Sequence, residues 1–168
     1  MRNGLPLFLA VFTVAFGIGA ALAAPAPQGN KPIHIKANEL VTDGVANTAT
    51  FVGKVSTKQG DMTIFSDKLV VKYSSADQEV EKVEAFGNVR FIAGNRRGEA
   101  NHATYETRTA KIVLEGNPVI SQGDDIIKGK VITYFVDEKR SLVTSDPEKR
   151  VEVILHPKEK AKSGAAKP

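Results

Sequence analysis

A stretch near the middle of the chain, from Val83 to Phe91, alternates apolar and polar side chains. Its odd-numbered positions carry Val, Ala, Gly, Val and Phe, whereas Glu84, Asn88 and Arg90 stand between them. Because successive side chains of an extended chain point to opposite faces, this pattern predicts a β-strand with one buried face.

The same phrase recurs earlier and later in the chain, each time around a glycine. Gly53, Gly87 and Gly116 are 34 and then 29 residues apart, and apolar residues stand two and four places before each. A second repeated phrase is marked by the small residues Ala37, Ser66, Ala100 and Gly129. Repeats of this length are typical of stacked units that cover one another's apolar faces. We assign the three glycines to strand kinks or close backbone approaches.

Turn signals separate short alternating segments along the rest of the chain, and no long segment has the 3.6-residue period of a helix. The predicted strands span residues 32–36, 48–58, 62–73, 80–92, 99–107, 109–114, 118–122, 125–137, 141–145 and 150–155. We interpret residues 93–98 as a turn in which Arg96 and Arg97 face solvent, with phosphate binding by this pair as the alternative. This organisation predicts an all-β sandwich, barrel or solenoid.

The first 23 residues have the three parts of a secretory signal peptide. Arg2 precedes an apolar run, and Ala21-Leu22-Ala23 is a small-x-small cleavage signal. We predict cleavage after Ala23 and a periplasmic mature protein, with an uncleaved membrane anchor as the alternative. Residues 24–31 are predicted to be a flexible leader, 32–155 the folded domain and 156–168 a disordered basic tail.

Composition excludes several kinds of chemistry. The 168 residues include no Cys and no Trp, which excludes disulfides, thiolate catalysis and thiolate metal sites. The formal net charge is +4. Without Arg2 it is +3, because 22 basic and 19 acidic residues remain. So mild an excess favours anionic ligands or merely aids solubility. Aromatic residues do not alternate with basic ones as a nucleic-acid platform requires, so we predict no nucleic-acid partner.

No catalytic or metal-binding motif stands out. His34, His102 and His156 are far apart in sequence, and none has a second ligand at metal spacing. The chain lacks a Gly-x-Ser-x-Gly elbow and a phosphate-binding glycine loop. We therefore predict no enzymatic activity, no cofactor and no metal. Apolar residues such as Phe51, Phe86 and Phe91 remain, and they indicate either a filled core or a groove for acyl chains.

Several segments resemble the OstA-like family of periplasmic lipopolysaccharide-transport bridge proteins. The matching segments occur in the same order and spacing, and they span residues 32–35, 50–55, 66–71, 113–119 and 127–134. The resemblance covers residues 32–155 and implies an open, twisted antiparallel β-jellyroll of about sixteen strands, built from repeated units.

The resemblance also implies a function. Members of this family bind lipopolysaccharide through the acyl chains of lipid A and carry it across the periplasm without making or breaking a bond. They associate end to end in a bridge by pairing their sheet edges. The bridge runs from an inner-membrane bitopic partner of the same fold to the N-terminal domain of the outer-membrane translocon. Strands near 33–37 and 143–155 are the expected points of contact.

The position of each apolar residue in the family pattern predicts which ones line the lipid groove. These residues are Ile33, Ile35, Phe51, Val55, Leu69, Val89, Phe91, Leu114 and Ile132. The alternative function is that of an exported β-solenoid that binds polysaccharide or serves in adhesion.

Overall fold

The structure, a computed structural model, describes residues 31–156, and these residues form twelve β-strands and no helix. The strands are β1 (Ile33–Lys36), β2 (Glu39–Asp43), β3 (Thr48–Gln59), β4 (Met62–Tyr73), β5 (Val80–Ala93), β6 (Arg96–Glu106), β7 (Lys111–Glu115), β8 (Val119–Gln122), β9 (Asp125–Lys128), β10 (Val131–Phe135), β11 (Arg140–Thr144) and β12 (Glu152–Ile154). The predicted signal peptide, the leader up to residue 30 and the tail from residue 157 lie outside the described residues.

Four long strands, β3 to β6, pair as antiparallel neighbours and share a common irregularity near their middles. The register of β3 against β4 shifts between Val52 and Val55, and that of β4 against β5 between Phe65 and Lys68. The pairing of β5 with β6 shifts between Phe86 and Val89. Since a β-bulge bends the strand that contains it, these aligned shifts form a corner across the sheet.

The shorter strands pair on one side of this corner or the other. All twelve strands belong to one hydrogen-bonded sheet, which the corner divides into two halves, called here the first and the second sheet. The first sheet has the order β2-β3-β4-β5-β6-β7-β10-β11, and the second has the order β1-β3-β4-β5-β6-β8-β9-β12. The four long strands belong to both sheets, so twelve strands provide sixteen strand segments, eight in each sheet. The resemblance implied about sixteen strands, whereas residues 31–156 form twelve, because β3 to β6 each cross the corner without ending.

At the corner, the glycine of the first repeated phrase lies against the residue that follows the small residue of the second repeated phrase. Gly53 has a φ of 82°, and a Cβ there would lie 2.6 Å from Nδ2 of Asn38. Gly87 has a φ of 72° and lies against Asp67 in the same manner. The predicted role of these glycines in strand kinking and close backbone approach is therefore confirmed.

The last corner position replaces this arrangement with an ion pair. Lys130 follows Gly129 in the repeat, and its ammonium group pairs with the carboxylate of Asp146. The backbone N–H of Lys130 donates to the Thr144 carbonyl over 2.8 Å as the chain crosses from one sheet to the other. The prediction of one strand over residues 125–137 was therefore wrong, because the chain turns the corner at Gly129 and divides into β9 and β10.

The predicted turn at residues 93–98 was also wrong. Strand β5 continues to Ala93, and β6 begins at Arg96, so only Gly94 and Asn95 connect them. A two-residue hairpin turn keeps the residues on either side in the ladder, and Arg96 pairs with Ala93. As a result, Arg96 is only 6% exposed, whereas Arg97 points to solvent as expected.

The core forms where the inner faces of the two sheets meet. The alternation predicted for the central strand is confirmed, because Val83, Ala85, Val89 and Phe91 are buried while Asn88 and Arg90 are exposed. Buried residues on both sides of the corner belong to one continuous cluster. The two sheets therefore pack against each other as the two layers of a sandwich joined along the corner.

Candidate lipid-binding interior

Rows of directly paired residues define the inner faces, because residues opposite each other on neighbouring strands share a face. The corner row of the first sheet consists of Phe51, Leu69, Ala85, Ala103, Leu114 and Ile132. The outer row of the same sheet consists of Ala49, Val71, Val83, Tyr105, Ile112 and Tyr134. Both rows are apolar apart from the two tyrosine hydroxyl groups.

The second sheet becomes more polar with distance from the corner. Its middle row consists of Ile35, Thr57, Ile64, Phe91, Gly98, Ile120, Ile127 and Val153. Its rim row, beside the turns, consists of Ile33, Gln59, Met62, Ala93, Arg96, Gln122 and Asp125. On the second sheet, apolar side chains therefore lie towards the corner and polar groups lie at the mouth, the side where the two sheets are not joined.

The apolar layer continues to both ends of the sheets, where no further strand of residues 31–156 covers it. At the β1–β2 end, Ile33 is 37% exposed and Leu40, which pairs with Phe51, is 55% exposed. At the opposite end, Val153 of the middle row is 45% exposed. A large apolar side chain gains free energy when water is removed from it, so both ends are suited to contact with another apolar surface.

All nine residues predicted to line a groove lie on the inner faces. Six belong to the buried core, and they are Val55, Leu69, Val89, Phe91, Leu114 and Ile132. Ile35 and Phe51 are partly buried against this core, and Ile33 lies at its exposed end. Their contact with lipid stays a prediction.

Phe86, one of the apolar residues noted in the sequence, lies on the outer face instead. Its ring stacks on the imidazole of His102 with centroids 4.6 Å apart, and the ammonium group of Lys68 lies 5.6 Å from its centroid. The alternation along β5 contained this information, because Phe86 occupies an even position between the buried Ala85 and Val89. Phe86 therefore belongs to the solvent-facing surface of the sheet.

Tyr134 and Arg96 are interior residues that the sequence reasoning missed. Tyr134 is 1% exposed, and its spacing of two residues from Ile132 was the available signal. For Arg96 the sequence carried a misleading signal, because a basic pair beside glycines is typical of an exposed turn. Burial lowers the pKa of the Arg96 guanidinium, and the nearby Tyr134 phenol partly opposes that effect.

The three histidines do not come together. His34 is exposed on β1, as predicted, and His102 lies on the outer face, 3.1 Å from Glu115 and 3.7 Å from Glu84. Within residues 31–156, no group of three or more His, Asp or Glu side chains is arranged to hold a metal ion. The same part of the chain contains no helix long and apolar enough to cross a membrane.

Comparison with known proteins assigns this arrangement to a family. Residues 34–140 match the family described as LptA/(LptD N-terminal domain) LPS transport protein. This match covers more than half of the chain, and the chain belongs to that family. The predicted resemblance is therefore confirmed.

Individual relatives agree with this assignment. The chain is 33% identical over 148 residues to the lipopolysaccharide export system protein LptA of Escherichia coli K12. The alignment covers 83% of this chain and 80% of that protein. The LptA protein of Shigella flexneri matches with the same identity and coverage.

A solved structure supports the fold. The crystal structure of LptH, described as the LptA homologous periplasmic component of the lipopolysaccharide transport device of Pseudomonas aeruginosa, superposes with a TM-score of 0.64. The superposition covers 76% of this chain and 96% of LptH at 16% sequence identity. The open antiparallel β-jellyroll predicted from the sequence is thereby confirmed.

Proposed function

We propose that this protein binds lipopolysaccharide through the acyl chains of lipid A and carries it across the periplasm as part of a head-to-tail protein bridge. The observation that carries this proposal is the interior itself, in which two apolar inner faces meet and are left uncovered at both ends by the part of the chain that the structure describes. Membership in a family of lipopolysaccharide transport proteins supports transport over polysaccharide binding or adhesion. Such transport moves a lipid without changing a covalent bond, consistent with a protein that is not an enzyme.

Acyl chains would occupy the apolar rows, and the sugar and phosphate groups would remain at the mouth. Transfer of each methylene from water to an apolar environment is worth about 0.8 kcal/mol, so even a few chains would hold the lipid. Val55, Leu114 and Ile132 are at most 3% exposed when the sheets are in contact. Entry of acyl chains therefore requires the two sheets to move apart at the mouth, with the corner as the hinge.

Both ends of the sheets suit pairing with a further chain. Among residues 31–156, β1 and β2 each pair on one side only with β3, and β11 and β12 each pair on one side only, with β10 and β9. Unpaired backbone groups along such edges accept another strand. In the bridge, the β1–β2 end would contact an inner-membrane bitopic partner of the same fold or a preceding copy. The β11–β12 end would contact the next copy or the N-terminal domain of the outer-membrane translocon.

The proposed location is the periplasm, following cleavage after Ala23. The signal-like N-terminus supports export, and the solved relative LptH is described as a periplasmic component. N-terminal sequencing of the protein recovered from the periplasm tests the cleavage site. An N-terminus at Ala24 is expected, and a chain that retains residues 1–23 would contradict the prediction.

Photo-crosslinking in cells tests lipid binding directly. A photoreactive amino acid at position 91 or position 35 would face the interior, and the same group at Arg90 would face solvent on the same strand as Phe91. We expect lipopolysaccharide to be captured from positions 91 and 35 and not from position 90. Equal capture from position 90, or no capture from either inner position in a folded protein, would contradict the proposal.

A further inference from the structure

Arg96 is a buried cation at the mouth of the interior, in the polar rim row next to the apolar rows. It belongs to the rim row of the second sheet, between Ala93 of β5 and Gln122 of β8, and it is only 6% exposed. The next row inward contains Phe91 and Ile120. An arginine so placed has its guanidinium at the boundary between the polar rim and the apolar rows.

The hydrogen bonds of this guanidinium are incomplete. Its Nε donates to Oε1 of Gln122 over 3.1 Å, whereas its Nη1 has no hydrogen-bond partner within residues 31–156. Arg96 takes part in none of the ion pairs of this part of the chain. The guanidinium nevertheless keeps its charge, because arginine is not deprotonated in proteins. A buried charged donor without an acceptor is unfavourable, and an anionic oxygen would supply what is missing.

Three buried side-chain polar atoms within residues 31–156 lack a hydrogen-bond partner: Nη1 of Arg96, Oε1 of Gln59 in the same rim row, and the hydroxyl of Ser141 in the facing sheet. Tyr134 lies close enough to influence the guanidinium electrostatically, and Ser141 is the direct partner of Tyr134 across β10 and β11. The Ser141 hydroxyl is buried and has no hydrogen-bond partner within the described range. Asp125, the carboxylate of the same rim, is two strands away from Arg96 and accepts the backbone N–H of His156 over 2.8 Å.

We propose that Arg96 binds a phosphate group of the lipid, with Nη1 donating to a phosphate oxygen while the acyl chains of the same molecule occupy the rows behind it. The proposal rests on the lipid-binding function proposed above and adds the group that recognises the anionic part of the ligand. The ligand class is a phosphorylated, acylated sugar. The order of groups along the interior, from guanidinium to aromatic and aliphatic side chains, matches the order of groups in such a molecule.

The test compares two arginines that are neighbours in sequence but face opposite sides of the sheet. Arg96→Gln removes the buried charge, and Arg97→Gln removes an exposed charge from the same strand, which makes it a matched control. Each purified protein is titrated with phosphorylated lipid A, with the same lipid after enzymatic removal of its phosphates, and with inorganic phosphate alone. Thermal unfolding of each variant is recorded in parallel.

We expect the wild-type protein to prefer the phosphorylated lipid over the dephosphorylated one by about tenfold to hundredfold, the range for a hydrogen bond to a charged group. Arg96→Gln should abolish that preference, Arg97→Gln should retain it, and Arg96→Lys should retain part of it. Inorganic phosphate should bind far more weakly than the lipid, since it has no acyl chains to fill the apolar rows.

Several outcomes would overturn the inference. A wild-type protein that binds both lipids equally would show that phosphate is not recognised, although lipid binding itself would stand. A preference that persists in Arg96→Gln would place recognition elsewhere, and inorganic phosphate binding as tightly as the lipid would indicate a free-phosphate site. If Arg96→Gln fails to fold, Arg96→Lys decides the question: a preference reduced below that of the wild-type protein supports the inference, and an unchanged preference overturns it. Failure of the wild-type protein to bind either lipid would instead reject the proposed function.

Discussion

The ring of Phe91 lies directly over Gly98, its partner across β5 and β6, and occupies the space that a side chain at position 98 would need. Any Cβ at this position would overlap the aromatic carbons of Phe91. Packing therefore requires glycine here. Backbone conformation does not, because the φ of Gly98 lies outside the left-handed region. This pair lies in the middle row of the second sheet, in the centre of the proposed lipid-binding interior.

Replacing Gly98 by Ala should destabilise the protein because the Phe91 ring has to move. We expect a loss of about 1–3 kcal/mol in the free energy of unfolding, the usual cost of overpacking a core. Urea denaturation followed by circular dichroism measures this loss. Gly44→Ala is the matched control, because a Cβ there meets nothing within 4 Å, and it should change stability little. Equal stabilities of the two variants would contradict the proposed packing.

The left-handed backbone at the corner gives a second prediction, at Asn88. Asn88 has a φ of 47°, and its Nδ2 donates to Oδ2 of Asp67 over 2.8 Å. Because residues other than glycine are strained in this region, Asn88→Gly should be more stable than Asn88→Ala by about 1 kcal/mol. Thermal unfolding of both variants measures the difference.

Arg90 supplies the control for this comparison. It lies two residues along the same strand, is exposed and does not have a positive φ. At such a position Ala should be the more stable of the two replacements, since glycine loses more conformational entropy on folding. The order of Ala and Gly should therefore reverse between positions 88 and 90. The same order at both positions would be inconsistent with a left-handed corner.

The uncovered ends of the apolar layer predict how the proposed end-to-end association can be weakened. Leu40→Lys or Val153→Lys places a charge where the interior of one copy would meet that of the next, and both positions are exposed in the single chain. We expect either variant to weaken self-association at least about tenfold while folding normally, because burial of an unpaired charge is unfavourable. Sedimentation equilibrium measures the association.

Val45→Lys serves as the control for that experiment. Val45 is 96% exposed in the turn between β2 and β3, so its side chain is not part of the apolar layer that Leu40 and Val153 continue. Its replacement should leave association unchanged. If Val45→Lys weakens association as much as the two end variants do, a general charge effect would account for the result.

Tyr105 predicts a change of stability at alkaline pH. Burial raises the pKa of its phenol, and the carboxylate of Asp137 adds to the effect. The folded protein therefore holds this proton above the ordinary tyrosine pKa of about 10, while the unfolded chain releases it. The stability contributed by this group is fully present below that ordinary pKa and is lost as the pH rises through the raised pKa of the folded state.

Tyr105→Phe should accordingly lose less stability than the wild-type protein between about pH 9 and about pH 11. Denaturant unfolding at each pH measures the difference, and absorbance of the phenolate near the same pH reports the ionisation itself. Asp137→Asn should move that ionisation to lower pH, because a neighbouring negative charge is removed. An unchanged titration in Asp137→Asn would exclude the carboxylate as a cause.

The sequence predicted the strands well wherever one face alternates without interruption. The range of β4, Met62–Tyr73, and the inward positions of β5 follow directly from spacing by two, because one face of each strand is buried. The repeated glycines indicated a bend at the same place in several strands. Since a bend at the same place in each repeat requires the same residue type, Gly53 and Gly87 recur at matching positions.

Features that depend on the meeting of distant segments were beyond the sequence pattern. The length of the turn before Arg96 decides whether that arginine faces water or the interior, and the basic pair beside glycines indicated only the exposed outcome. Residues 125–137 divide into β9 and β10 at Gly129, beside which Lys130 pairs with Asp146 across the last corner. Nothing local in residues 125–137 identifies that partner.

The four strands that run unbroken through the corner have a mechanical consequence. They connect the two sheets along the corner, so the sheets can rotate apart about it but cannot slide past each other. Any ligand between the two sheets would change the angle between them and leave the rows of paired residues aligned. Ligands of different thickness would then contact the same continuous rows of inner-face residues at the corner.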